Sequence, residues 1–534
     1  MTVSNTITSS GYLEVFTNSV RALNNVNNND AAGSYTGKDP MQLPNLEPDM
    51  VVRKNPNLTD DRYIRVFDMK DTGVKNGYYA EMLLDGDDPV FAYLNLSGGP
   101  GTIPGIAAGT GAGNYQPANA MPQRAKFDAD TAAEITTEYL IKGLAWDQMA
   151  MARDEGGRFH HASAGNYAGD RMAYVYDRYA ELYRFYDGGW LYGSGWVDGT
   201  EYVDYNGSRA DDGNNNAISM DSNSTTPGLL VGRYQGLKMQ VTGDSRTDGS
   251  YATVYMAYYD DNTAGKNILF RNFRVGRNVG LANGLYSGGT SSTGDGYAQT
   301  TNIGDREDDT RLTAATSASK HFDFGVTSTG RVVMVYYDES NSRLYLRYSN
   351  TTVTGANPTT AIAWTTSTVT FPFYVGNYVS MDIDSGDGIH ISAYDAADGD
   401  LAYMYLPSYS STALEHVSVD AAFSVGYWTK IKVLEDAGTI TPYIAYYNST
   451  ENGQRDTIKL AYTKSGITAG SIPGGVDSSG YTTGDWEYLN VPAITPPQGG
   501  DNRFKQVNLD FDTSNRPVVG YLGTNLEFGT WVDE

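Results

Sequence analysis

The chain has 534 residues and no cysteine, so neither a disulfide framework nor a thiolate nucleophile or metal ligand can be built from it. A chain of this length buries ample core without either. It contains no run of 18 apolar residues, which excludes a membrane-spanning helix. Basic residues are scarce: 38 Lys and Arg stand against 63 Asp and Glu, for a net charge of −25, and they form no cluster. Such a surface repels nucleic acid and anionic membranes, and neither is expected as a partner. The opening residues, MTVSNTITSS, lack the basic and apolar segments of an export signal, so any such signal is expected to have been removed or to lie outside this chain.

Histidine is also rare, with five in all, and no HExxH pair occurs. His160 and His161 are adjacent in a strand-like run and point to opposite faces, so one metal cannot use both. The histidines are read as structural. No phosphate-binding glycine loop and no zinc motif is present, and no cofactor is expected.

What the chain does have is 60 glycines, 42 tyrosines and a repeating grammar of short strands. From Gly376 to Leu406 it reads GNYVSMDIDSGDGIHISAYDAADGDLAYMYL. Apolar residues alternate at Val379, Met381 and Ile383, then at Ile389, Ile391 and Ala393, before a third run, LAYMYL. Between them lie turns of Asp, Ser and Gly, residues that tolerate positive φ or bond their own backbone. That is an antiparallel meander. The same grammar recurs with GYWTKIKV from Gly426, GRYQGLKMQV from Gly232, KHFDFGV from Lys320 and NRFKQVNLDF near the end, and more weakly with DRYIRVFDM and LAWDQMAMARD.

Each copy opens on a ring: Tyr63, Trp146, Tyr234, His321, Tyr378, Trp428 and Phe504. Their separations run from 50 residues (378 to 428) to 88 (146 to 234), the length of about four strands with insertions. Seven copies predict an all-β fold, a seven-bladed β-propeller over 61–534, with first strands near 63–68, 146–151, 234–241, 321–326, 378–383, 428–433 and 504–509. An N-terminal segment, 1–60, carries the run GYLEVFTNSV, and its residues 11–20 are expected to complete the last blade and close the ring. Long surface loops are expected at about 97–135 and 187–228.

The stretch 376–395 resembles the repeat of secreted bacterial β-propellers of the broad sialidase-like kind. The resemblance covers most of the chain from about Asp60, with the first two copies degenerate. It implies the propeller fold and a location outside the cell or in its envelope. A complete sialidase motif is missing: no FRIP-like segment occurs, and DIDSGDGIH lacks the Thr-Trp that ends the S-x-D-x-G-x-T-W box.

Recognition rather than turnover is therefore expected, with a glycan or a surface protein as partner. A structural role through self-association and a carbohydrate-active enzyme with a hidden carboxylate pair are the alternatives. Candidate contact residues are Trp190 and Trp196 of the 187–228 insertion, and the pairs at the ends of second strands: Tyr259 with Asp260, Tyr337 with Asp338, Tyr394 with Asp395, and Tyr447. Rigid rings beside short acids suit sugar faces and hydroxyls. Asp382, Asp384 and Asp387 are a calcium candidate, one residue off the D-x-D-x-D-G register.

Overall fold

The computed structural model describes residues 13–16, 51–54, 63–68, 78–95, 121–131, 133–139, 146–166, 170–178, 181–186, 237–245, 247, 250–260, 267–277, 297–299, 310–311, 318–354, 362–421, 424–449, 457–467, 472–475, 485–491, 507–522 and 526–532. These residues are all-β, with no helix among them.

The strands form antiparallel meanders, numbered here in chain order. Sheet I contains Tyr78–Asp85, Asp88–Asn95, Met121–Phe127 and Glu134–Tyr139. Sheet II contains Trp146–Arg153, Phe159–Asn166, Asp170–Arg178 and Glu181–Tyr186. Sheet III is built of Lys238–Gly243, Tyr251–Asp260 and Asn267–Arg277, with Tyr297–Gln299 and Thr310–Arg311 both on its outer edge. Sheet IV follows with Ala318–Val326, Val332–Asp338, Arg343–Ser349 and Trp364–Thr366. Sheet V has Val375–Ile383, Ile389–Asp395, Asp400–Leu406 and Glu415–Asp420. Sheet VI has Ser424–Asp436, Thr439–Ser449, Thr457–Thr463 and Trp486–Val491. Sheet VII has Val507–Phe511, Pro517–Leu522, Leu526–Val532 and, from the other end of the chain, Tyr63–Asp68.

The first strand of each sheet contacts that of the next, from I through VII, and that of VII contacts that of I. Apolar cores lie between neighbouring sheets. One joins sheets III, IV and V, another V and VI, a third VI and VII, and Val518 of sheet VII packs into the core of sheet I. A second strand covered on both faces has no solvent side to make polar. Val332–Asp338 is accordingly buried at every position, where a half-exposed strand would alternate.

A first strand has no partner on its inner edge, and its amides need acceptors. Carboxylates of adjacent sheets supply them. The Leu84 amide donates to Asp510 (2.9 Å), that of Met381 to Asp323 (3.0 Å) and that of Val433 to Asp382 (2.8 Å). Asn508 donates its side-chain amide to the Ala80 carbonyl (2.8 Å), a further tie from sheet VII to sheet I.

Four expectations are corrected. Tyr63–Asp68 is not a first strand but the outer strand of sheet VII, paired along its length with Leu526–Val532. The run within 11–20 does not fill that place, because Leu13–Phe16 pairs with Val51–Lys54. All these runs are short and alternating, so periodicity could not choose among them. The third copy begins its strand at Lys238 rather than at 234. Of the expected loop at 97–135, Met121–Phe127 is the third strand of sheet I. The insertion at 187–228, with Trp190 and Trp196, lies outside the described residues, as do Tyr234 and Phe504.

Candidate functional site

Two ends of the sheets carry different chemistry. At one end lie the turns between first and second strands. Asp384 accepts from the amides of Gly386 (2.8 Å) and Gly388 (2.7 Å), and its other oxygen meets His390 Nε2 at 3.0 Å. His390 Nδ1 in turn lies 2.8 Å from the Tyr403 hydroxyl, and the ring is wholly buried. Sheet II repeats the device six residues apart, with Asp154 bonded to the Arg158 amide (2.7 Å) and to His160 Nε2 (3.2 Å). Burial alone would raise the Asp154 carboxyl, but the His160 bond and charge and the Ser245 hydroxyl bring it down to about 2. Burial would raise Asp384 too, but the His390 bond and charge and the amides of Gly388 and Gly386 bring it below its ordinary value.

The calcium candidate dissolves here. Asp382 serves the Val433 amide, Asp384 its own turn and His390, and Asp387 the amide (2.6 Å) and hydroxyl (3.0 Å) of Ser328. These carboxylates do not converge, and among the described residues no group of three His, Cys, Asp or Glu could hold a metal.

The opposite end, where first strands begin, gathers rings. Tyr378 stands 4.5 Å from Trp428 and 4.9 Å from His321, centroid to centroid, and Tyr427 lies 5.5 Å from Tyr378. Tyr427 also stacks on Tyr394 at 4.2 Å and donates its hydroxyl to that of Tyr394 (2.9 Å). The pattern that puts them there is a β-bulge. Register shifts between Asn377 and Ser380 and between Tyr427 and Lys430, so an unpaired residue is turned toward the axis shared by the sheets.

The bulges are strained. Tyr378 sits at φ 58° and Trp428 at φ 53°, left-handed values that bulky residues avoid. Glycine two positions earlier admits the close approach that precedes each ring. A Cβ on Gly376 would fall 2.6 Å from the Tyr337 ring, and one on Gly426 2.9 Å from the Leu401 backbone.

His321, Tyr378 and Trp428 form the mouth of a cavity of about 60 Å³ whose other walls include Glu81, Lys238, Thr429, Lys430 and Asn508. Burial pulls Lys430 below its ordinary value, helped by the like charge of Lys238 and opposed by Asp323 and Glu81. For Lys238 the same burial is outweighed by Asp323 and Glu81, and its value rises. Burial also raises the Tyr378 phenol, which therefore stays protonated as donor and acceptor. The site thus offers flat apolar ring faces above ammonium, carboxylate, hydroxyl and amide groups.

No family model matches the chain, and no curated protein matches it. Solved structures do. A mutant of the Aleuria aurantia lectin in complex with Fucalpha1-6GlcNAc is 8% identical over 76% of this chain and 99% of that one, with a TM-score of 0.36. The intramolecular trans-sialidase from Ruminococcus gnavus is 10% identical over 86% of this chain and 96% of that one, at 0.35. A mutant α-L-arabinofuranosidase from Fusarium graminearum is 8% identical over 73% and 96%, at 0.37. Likeness of this degree carries nothing about the chemistry of the site.

The second-strand pairs largely fall away as contact residues. Tyr259, Tyr337 and Tyr447 are buried between sheets, and the Asp338 and Asp395 carboxylates cap turns through the amides of Asn341 (2.9 Å) and Ala397 (2.8 Å). Asp260 lies in its strand, directly opposite Asn267. Of the four second-strand tyrosines Tyr259, Tyr337, Tyr394 and Tyr447, Tyr394 alone is half-exposed, and it joins the ring cluster. In the sequence, His321, Tyr378 and Trp428 stand out only as the register column of the repeat. The positive φ of Tyr378 and Trp428 is signalled by the glycine two positions before each, Gly376 and Gly426.

Proposed function

We propose that the chain is a seven-bladed β-propeller over residues 61–534, closed by Tyr63–Asp68 and preceded by the segment 1–60, that binds carbohydrate at the ring-lined mouth without transforming it. The propeller assignment is supported by seven meanders whose first strands contact one another in sequence and return from VII to I. The binding assignment is carried by one observation: Tyr378 and Trp428 are held in left-handed backbone around a polar cavity. Strain of that kind costs about 1–3 kcal/mol per residue and persists where the surrounding structure over-determines it, as at ligand clamps. Ring faces stack on the apolar faces of sugars, while Lys238, Lys430, Glu81 and Asn508 are suited to their hydroxyls.

A location outside the cell or in its envelope accords with this role, and a surface protein bearing the glycan would serve as partner. The enzyme alternative requires two carboxylates facing one bond. Glu81 is the one carboxylate among the described residues lining the cavity. A structural subunit that self-associates would instead use broad apolar surfaces.

A glycan array probed with the full chain tests the reading. Binding of a defined glycan, lost on Trp428→Ala with the melting transition intact, is expected. Turnover of that glycan, lost on Glu81→Gln, would replace recognition by catalysis. No binding to any glycan would remove the reading.

A further inference from the structure

Outside the cavity, the described residues hold four exposed large hydrophobic side chains, and two of them are neighbours: Phe373, 58% exposed, and Tyr374, 54% exposed. They immediately precede the first strand of sheet V, with ring centroids 6.4 Å apart. Flexible exposed rings would be unremarkable. These are fixed.

Tyr374 has φ 64°, and its backbone is tied on both sides, its amide donating to the Ser342 carbonyl (2.6 Å) and its carbonyl accepting from the Ala396 amide (2.9 Å). Ser342 itself has φ 52°. Phe373 bridges to Arg343, whose guanidinium carbon lies 3.8 Å from the centre of the Phe373 ring. The Arg343 Nε is buried there with no hydrogen-bond partner. The guanidinium covers one face of the ring, and the exposure of Phe373 lies on the rest.

Of the seven non-glycine residues with positive φ among the described residues, Ser342, Tyr374, Tyr378 and Trp428 all lie at the mouth end of the sheets. Tyr374 and Tyr378 are four residues apart on one chain, a span of at most about 14 Å. Tyr394, which stacks in the mouth cluster, is opposite Asn377, and the turn that follows it holds the Tyr374 carbonyl.

We propose that Phe373 and Tyr374 form a second stacking platform that receives further sugar units of the glycan bound at the mouth, so that the ligand is a neutral oligosaccharide rather than a single sugar. The inference rests on the reading of the mouth as a carbohydrate site. Rigid rings provide contact area at small entropic cost. A neutral ligand fits because Arg343, the one charged group in the platform, is already committed to the Phe373 ring.

The probes are glucose-, mannose- and galactose-based oligosaccharides of one to six units, titrated calorimetrically against the full chain. For the series that binds, affinity should rise with length. The double variant Phe373→Ser/Tyr374→Gly should bind the shortest active member as the wild type does and the longest about tenfold more weakly. Tyr374→Gly alone should melt at or above the wild-type temperature, since glycine relieves the left-handed strain, and should still lose affinity for the longest member. A ring that only packs would lower the melting temperature and leave affinity alone. If the double variant binds the longest member as tightly as the wild type while Trp428→Ala loses it, the platform is wrong and the mouth reading stands. If the wild type binds no member of any series, both fall.

Discussion

The two ends of the same strands solve the same backbone problem with different residues. Where first and second strands turn, the non-glycine residues at positive φ are Asp387, Ala437 and Asn515, small or hydrogen-bonding side chains in tight hairpins. Where first strands begin, they include Tyr374, Tyr378 and Trp428. At the turn end three carboxylates are spent internally: Asp384 on its own loop and His390, Asp154 on His160 and Ser245, Asp512 on the Arg516 amide (2.8 Å) and guanidinium (2.7 Å). At the mouth end rings remain open to solvent, and backbone strain accompanies them. One end is built for stability, and the other carries strain that stability alone does not require.

The largest test concerns the strand that unites sheet VII. Removing residues 1–60 should leave the melting temperature nearly unchanged, because Leu13–Phe16 pairs only within the removed segment. Removing residues 1–70 should lower it by roughly 10 °C or more and promote association, because it uncovers the edge of Leu526–Val532. Calorimetry and light scattering read both. Equal losses in the two truncations would return the closing role to the N-terminal run.

Next in size is a pair of alanines at opposite ends. Asp384→Ala strands the His390 ring and the amides of Gly386 and Gly388, and should cost about 3 kcal/mol in urea unfolding without altering glycan affinity below the transition. Trp428→Ala should cost about 1 kcal/mol or less and weaken binding at least tenfold. Reversed outcomes would erase the division between the ends.

The meander of 376–406 was readable in full, as Val375–Ile383, Ile389–Asp395 and Asp400–Leu406, because alternation and Asp-Gly turns specify each strand locally. The column of rings at 321, 378 and 428 was readable as a register. Its destination was not, since a bulge turns a side chain by a change of one residue in pairing, and alternation cannot express that. The Tyr-Asp pairs misled for the opposite reason. In a half-exposed strand one face is wet, but a strand packed between sheets is covered on both, so Tyr259, Tyr337 and Tyr447 went into cores. Closure was the least legible, because Tyr63–Asp68 and Leu13–Phe16 differ in partners that are hundreds of residues and tens of residues away, respectively.

Acid should find the turn end first. The Asp154 carboxyl is lower in the folded chain, at about 2 against an ordinary 3.8, so the native state binds its proton less readily than the unfolded one. Its contribution is complete above about pH 4 and is lost as pH falls from there toward 2. Asp384, lowered in the same direction, adds to that loss. Urea midpoints measured from pH 6 down to 2 should fall, and Asp154→Asn should be less stable than the wild type at pH 6 but show a shallower decline. A decline of unchanged steepness in that variant would assign the acid sensitivity elsewhere.

The smallest expected effect separates strain from ring. At position 428, Ala and Gly both remove the indole and should weaken glycan binding equally. They differ in backbone cost: at φ 53° an alanine Cβ crowds the carbonyl, whereas glycine adopts this conformation freely. Trp428→Gly should therefore be more stable than Trp428→Ala by about 1 kcal/mol, the reverse of an ordinary strand position, where glycine is worse than alanine by about 0.5–1 kcal/mol. Paired urea titrations of the two variants resolve a difference of this size. Should alanine prove the more stable, the left-handed bulge is not what holds the ring at the mouth, and the argument that strain marks this end as the binding end loses its support.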